Sequence, residues 1–201
     1  MKKIVCLLTM LLMMTGFAFA ETTQQPADLL TESVLDGKLV LEGVFYQMPI
    51  PVQQLFDDGW AFERSDRELE PEHFTAAVFT KDNVAFYAQI INEHKTTKPA
   101  SECHVVAMHF GPKANGTEDY DPISVQFSTQ IDMNTSKRDL EKLLGEPSST
   151  AGGYPVWRGD GAKYINPGLT FGAVFDDGLF SSKLKYFIVE YLPADFTVEA
   201  E

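Results

Sequence analysis

Basic residues are scarce in this 201-residue chain. Sixteen Lys and Arg stand against 29 Asp and Glu, a formal charge of −13. A chain this acidic repels phosphate backbones and anionic lipid surfaces, which argues against nucleic acid as a partner. Cysteine is nearly missing as well, with Cys6 and Cys103 alone in the chain. Metal and nucleophile motifs are lacking too: there is no His-x-x-x-His, no Cys-x-x-Cys, no Asp-x-Asp-x-Asp-Gly loop and no Gly-x-Ser-x-Gly elbow. No Gly-rich phosphate loop follows a strand-like run. The sequence therefore assigns no catalytic residue, no metal ligand and no cofactor.

What is present begins with an export signal. Lys2 and Lys3 form a basic start, Ile4 to Met14 an apolar stretch, and Ala18-Phe19-Ala20 a small-x-small cleavage site before Glu21. The run is short for a transmembrane span, and no later stretch is long and apolar enough to be one. Cys6 is not placed like a lipidation cysteine, so residues 1–20 read as a signal peptide and the mature chain as periplasmic or extracellular. Removing Lys2 and Lys3 takes the formal charge from −13 to about −15. Only Cys103 then remains, so no intramolecular disulfide is expected. The core must hold by burial, which 44% hydrophobic residues can supply.

Periodicity divides the rest. Residues 21–37 read as a polar leader and a short helix over Ala27 to Gly37. In the first unit, residues 38–112, "KLVLEGVFYQMP" reads as one strand in which Val40, Val44, Tyr46 and Met48 share a parity that Glu42 breaks. A short helix follows, with Val52, Leu55 and Phe56 on one side and Gly59 as its stop. "FTAAVF" and "VAFYAQII" read as strands joined by a tight turn, and "CHVVAMHF" as another. Residues 113–122 are a polar loop; its Asn115-Gly116-Thr117 is formally a glycosylation sequon and reads as a turn. The second unit, residues 123–196, opens with "SVQFSTQIDM", where Val125, Phe127, Thr129, Ile131 and Met133 alternate as in a strand. Its helix is marked at both ends: Ser136 and Asp139 start it, Leu140, Leu143 and Leu144 form its apolar stripe, and Gly145 and Pro147 stop it. Further strands follow, and residues 197–201 are a tail. A shift of 88 positions pairs Val52 with Leu140, Leu55 with Leu143 and Phe56 with Leu144, which suggests an internal repeat. The expected fold class is α+β, with two similar units, each a short helix packed on antiparallel strands.

The run "SKRDLEKLLGEP", Ser136 to Pro147, followed by Gly-rich coil and strands, resembles the β-lactamase-inhibitor-protein-like fold. That group includes small outer-membrane assembly lipoproteins and many exported bacterial proteins. The resemblance is strong over residues 123–193 and weak over 38–110. It implies tandem helix-plus-sheet units that make one continuous curved sheet, and a non-catalytic module whose sheet face or loops bind another protein. The lipidation cysteine of the assembly lipoproteins and the disulfides of the inhibitors are both missing here, so neither activity transfers by motif.

His104 and His109, five apart on one expected strand, should face opposite sides and so not share a metal ion. Cys103 precedes a strand and reads as a small buried residue, a reactive thiol being the alternative. Acids cluster at Asp57/Asp58, Glu68/Glu70/Glu72, Glu118/Asp119/Asp121 and Asp176/Asp177, where solvated turns compete with a carboxylate pair for glycosidic chemistry. "RGD", Arg158 to Asp160, reads as an exposed turn. Among the aromatics (15 Phe, seven Tyr, two Trp), Trp60, Tyr154, Trp157 and Tyr164 fall in or beside connections. They are the candidate binding residues, either as the rim of a contact surface or as caps on the sheet core. The reading is thus an exported binding or inhibitor-like module with another exported or envelope protein as partner. A carboxylate-dependent hydrolase or glycan-active protein is the alternative, and a structural envelope protein a third class.

Overall fold

The computed structural model describes residues 25–112, 114, 116–150, 155–158, 168–175 and 184–192. The strand alternation of "FTAAVFTK" and "VAFYAQII" becomes the hairpin β5 (Phe74–Lys81) and β6 (Val84–Ile91), turned by Asp82 and Asn83. β6 pairs with β8 (His104–Phe110), and β8 with β12 (Leu184–Leu192). β12 pairs with β11 (Gly168–Phe175), and β11 with β10 (Val156–Arg158). The resulting antiparallel order is β10-β11-β12-β8-β6-β5. The short β3 (Ile50–Pro51) also pairs with β8, while β4 (Glu68–Leu69) and β7 (Lys98–Pro99) form a separate two-stranded ladder. Along the main path each half of the chain supplies three strands, and the last strand of one pairs with the last strand of the other. The loop after β8 therefore separates the halves in sequence but not in space. The fold is α+β and mostly antiparallel, as expected.

One face of this sheet is the core. Ala77, Phe79, Phe86, Ala88, Ile90, Met108, Phe110, Phe171, Ala173, Phe187 and Val189 point into it and are buried. Helix α1 (Val52–Asp57) covers one end through Val52 and Leu55, both fully buried. A small second sheet covers the rest, in the order β2-β1-β9, with β1 at Lys38–Leu41, β2 at Val44–Gln47 and β9 at Val125–Gln126. Helix α2 (Lys137–Leu144) starts as its sequence implies. The Ser136 hydroxyl accepts from the Asp139 N–H at 3.2 Å and donates to the Asp139 carboxylate at 2.6 Å.

Four expectations are corrected. Residues 27–37 form two short 3₁₀ turns, Pro26–Leu29 and Val34–Asp36, rather than one helix. Ser33 accepts from the Leu35 N–H, a local bond that competes with helix continuation. "KLVLEGVFYQ" is a hairpin, not one strand: Glu42 (φ 47°) and Gly43 (φ 79°) both take left-handed conformations, the requirement of a two-residue turn that matches strand twist. The broken parity at Glu42 was the turn itself. "SVQFSTQIDM" leaves strand geometry after Gln126. The Ser128 hydroxyl accepts from the Gln130 and Ile131 N–H groups, and the Phe127 N–H donates to the Ile131 carbonyl, closing a tight loop. Leu140 is fully buried but Leu143 is 40% exposed, so two of the three helix pairs related by the 88-residue shift agree in burial.

The tight loop aims Phe127 at the centre of the core. Its ring lies 5.7 Å from Phe110, 5.3 Å from Phe171 and 5.0 Å from Phe187, the last two edge-on. Phe127→Ala removes contacts with both halves of the large sheet. It should lower the unfolding free energy by about 3–5 kcal/mol, read as a drop in the urea midpoint; a change within about 0.5 kcal/mol would show that the core does not converge on this ring.

Candidate functional site

Of the four candidate aromatics, two lie among the described residues, and both are buried. Trp60 is 2% exposed and packs edge-on against Phe86 at 4.8 Å, with the Lys81 ammonium 5.9 Å from its ring centre. Its indole N–H has no hydrogen bond of good geometry but faces the Tyr46 hydroxyl, which donates to Asp58 at 2.8 Å. Burial and the Asp58 carboxylate raise the Tyr46 pKa well above the usual phenol range. Trp157 is 3% exposed, lies against Phe171, and donates its indole N–H to the Gly145 carbonyl at 3.0 Å, tying β10 to the end of α2. The expectation that these two form a contact rim is therefore corrected: each caps an end of the core. Tyr154 and Tyr164 lie outside the described residues.

The sheet's other face carries a different aromatic set. Tyr87 and His109 are directly opposite on β6 and β8, their rings 4.9 Å apart. Tyr186 stacks on the other side of His109 at 5.7 Å and 4°. Val78 and Ile188 extend the row, and Ala76, Gln89, Ala107 and Glu190 form the next one. Tyr87, His109, Tyr186 and Ile188 are each part-exposed, unlike their buried neighbours of opposite parity. Burial lowers the His109 pKa below its ordinary value of 6.5. Sequence reasoning placed these residues on strands but did not single them out; the signal was their parity, opposite to Phe86, Met108 and Phe187.

The loop residues Gly111, Pro112, Ala114 and 116–121 cross one end of this face. The Asp121 N–H donates to the Asn83 carbonyl, and the Asn83 amide to the Asp121 carboxylate at 2.7 Å. Gly116 passes so close to Val78 that a Cβ there would lie 3.0 Å from its methyl group. Between this loop, Met133, Asn134 and Leu184 lies a cleft of about 290 Å³, with Tyr120 37% exposed at its mouth.

The titratable groups are spread out. Glu118, Asp119, Asp121, Glu68, Glu70 and Glu72 are exposed, and Asp58 is part-buried against Tyr46. Asp176 and Asp177 lie outside the described residues, as do Gly159 and Asp160 of the RGD run. No group of three His, Cys, Asp or Glu that could hold a metal ion occurs among the described residues. The expectation for His104 and His109 needs correction in its reason. Val105 pairs with Ile90 and Ala107 with Gln89, so Val106 is an extra, bulged residue and both histidines share the outer face. They stand opposite Ile91 and Tyr87, about 13 Å apart along the sheet, and His104 lies 3.2 Å from Glu93. The Cys103 thiol is buried and donates to the Pro99 carbonyl at 3.4 Å; burial, with Glu102 beside it, pushes its pKa up to about 11.

No family model, curated protein or solved structure matches this chain. Its function must be argued from this geometry.

Two measurements test the site's electrostatics. The His109 ring should titrate below 6.5 by NMR. Because the unfolded state then binds the proton more readily, stability should be fully present above 6.5 and be lost as pH falls through the folded pKa; His109→Gln should flatten that loss. In a chain beginning at Glu21, the Cys103 thiol of the native state should react with a disulfide reagent at pH 8 about a hundredfold more slowly than that of the denatured state; equal rates would contradict its burial.

Proposed function

We propose that this chain is an exported, non-catalytic binding or inhibitor-like module that contacts another protein through its sheet face and connecting loops. The observation that carries this reading is the Tyr87–His109–Tyr186 row on the face opposite the core. Tyrosine offers large, rigid contact area with a hydrogen-bonding tip and loses little side-chain entropy on binding. The row rests on strands joined to their neighbours on both sides, so it is held in place before a partner arrives, which lowers the cost of association. The basic start, apolar stretch and Ala18-Phe19-Ala20 site support export, and the acidic surface favours a basic partner.

A photo-crosslinking phenylalanine analogue at position 87 or 186, incorporated in the producing cell, tests the reading. The expected result is a discrete adduct with a second protein, several-fold stronger than from exposed position 143 on α2, carried by a chain beginning at Glu21. Equal labelling at all three positions, or a chain that keeps residues 1–20, would count against it.

A further inference from the structure

β5 is the outermost strand of the large sheet. In an antiparallel pair, residues alternate between bonding the partner and facing away. Lys81 and Val84 flank the two-residue turn, so Lys81, Phe79, Ala77 and Thr75 bond to β6. Thr80, Val78, Ala76 and Phe74 turn their N–H and C=O groups to the edge. Those of Thr80 are used: its N–H donates to the Ala61 carbonyl at 2.8 Å, and the Ala61 N–H to the Thr80 carbonyl at 2.9 Å. The chain then bows away from β5 through Arg64 (φ 62°) and hydrogen-bonds to it again where Arg67 Nη1 donates to Thr75 Oγ1 at 3.0 Å. Between these attachments the outward backbone groups of Ala76 and Val78 have no hydrogen-bond partner among the described residues. They border a cleft of about 600 Å³ lined by Ala61, Phe62, Glu63, Arg64, Val78 and Tyr120.

An open edge is a template for another strand, and proteins blunt such edges with charge, proline or a bulge. β5 has none of these between Thr75 and Phe79. Its one charge, Lys81, sits at the far end and donates to the Asp58 carbonyl at 2.7 Å. Phe74, at the other end, is 61% exposed. From Thr75 to Thr80 the edge runs about 17 Å, enough for three or four extended residues. Of the charged residues that line the cleft, Glu63 and Arg64 balance. Glu118 and Asp119 fall in the chain between its lining residues Gly116 and Tyr120, Lys81 is engaged at the far end of the strand, and the whole chain carries a net charge of −13. A second copy would bring the same charge to the edge and be repelled, whereas a basic segment is attracted.

We propose that this edge is a strand-addition site: an extended, basic segment of the partner pairs its backbone with Ala76 and Val78 and lays a small apolar side chain in the cleft. The inference rests on the binding-module reading and names where the partner's backbone docks.

The test uses the mature chain, amide exchange by NMR, and three capped peptides: one alternating lysine with valine, its glutamate-for-lysine counterpart, and the lysine peptide N-methylated on alternate residues. The lysine peptide at saturation should slow exchange of the Ala76 and Val78 amides about tenfold, while the other two should not. Ala76→Pro removes one outward donor and should abolish the protection. Should that variant not fold, Ala76→Lys, which adds a like charge beside the peptide, should weaken binding at least about fivefold. Unchanged exchange with the lysine peptide, or equal slowing by the glutamate or N-methylated peptide, overturns the proposal. Perturbation confined to Tyr87 and Tyr186 would overturn strand addition and leave the sheet-face reading standing. Protection that rises with protein concentration alone, with a dimer in sedimentation, would make the occupant a second copy and also overturn it.

Discussion

Phe127 is the contact through which the two halves of this protein share one core. It belongs to no strand of the large sheet, yet its ring meets Phe110 from the first half and Phe171 and Phe187 from the second. The contacts continue outward on both sides: from Phe110 to Phe86 and Trp60, and from Phe171 to Trp157. Tilted and edge-on rings of this kind add attraction beyond the area they bury. With Cys103 the lone described cysteine, no disulfide supplies what this packing does not. The small sheet is what holds Phe127 in place. β9 pairs with β1 just before it, and the Ser128-capped loop turns the chain back just after.

The ends of this aromatic chain explain the helices. α1 closes at Gly59, and Trp60 follows at once into the core, while Lys81 from β5 bonds the Asp58 carbonyl at the helix end. α2 closes at Gly145, and Trp157 from β10 bonds the Gly145 carbonyl. In both cases a residue of the large sheet satisfies a carbonyl that a helix end leaves without an intrahelical partner. The tryptophans are thereby committed to structure. Among the described residues, the aromatic surface left open to solvent on the sheet is that of opposite parity, around Tyr87, His109 and Tyr186.

That distinction marks the limit of what the sequence made legible. The β5–β6 hairpin could be read because alternation and turn chemistry agree, and α2 because Ser136, Leu140 and Gly145 each act within one helical turn. The β1–β2 turn was hidden because Glu42 is an unusual residue at positive φ. The bulge at Val106 left no trace, since every residue around it is apolar or aromatic and suits either register. Trp60 and Trp157 stand beside connections in sequence, where exposure is the common outcome. Their burial depends on which elements pack across the chain, a tertiary fact that local patterns do not carry. Tyr87 and His109 were recoverable by parity once the strands were known, but nothing in the sequence alone says which face is covered.

Among the described residues, the two edges of the large sheet differ in how far they are closed to another strand. There β10 spans three residues, and Ser149 pairs with Val156 through both backbone bonds, so that edge is closed at its start. β5 is eight residues long and closed only near Thr80. Short strands and covered ends are ways of preventing edge-to-edge association; a high net charge is another, because it acts between whole molecules. A formal charge of −13 discourages a second copy from approaching the open edge but does nothing against a cation. The protection is therefore selective by sign. An acidic chain can leave backbone groups unpaired at Ala76 and Val78 without polymerising, while the same field draws a basic segment toward them. Screening by salt should weaken both effects together, since each acts over distances comparable to the Debye length, about 8 Å at physiological ionic strength.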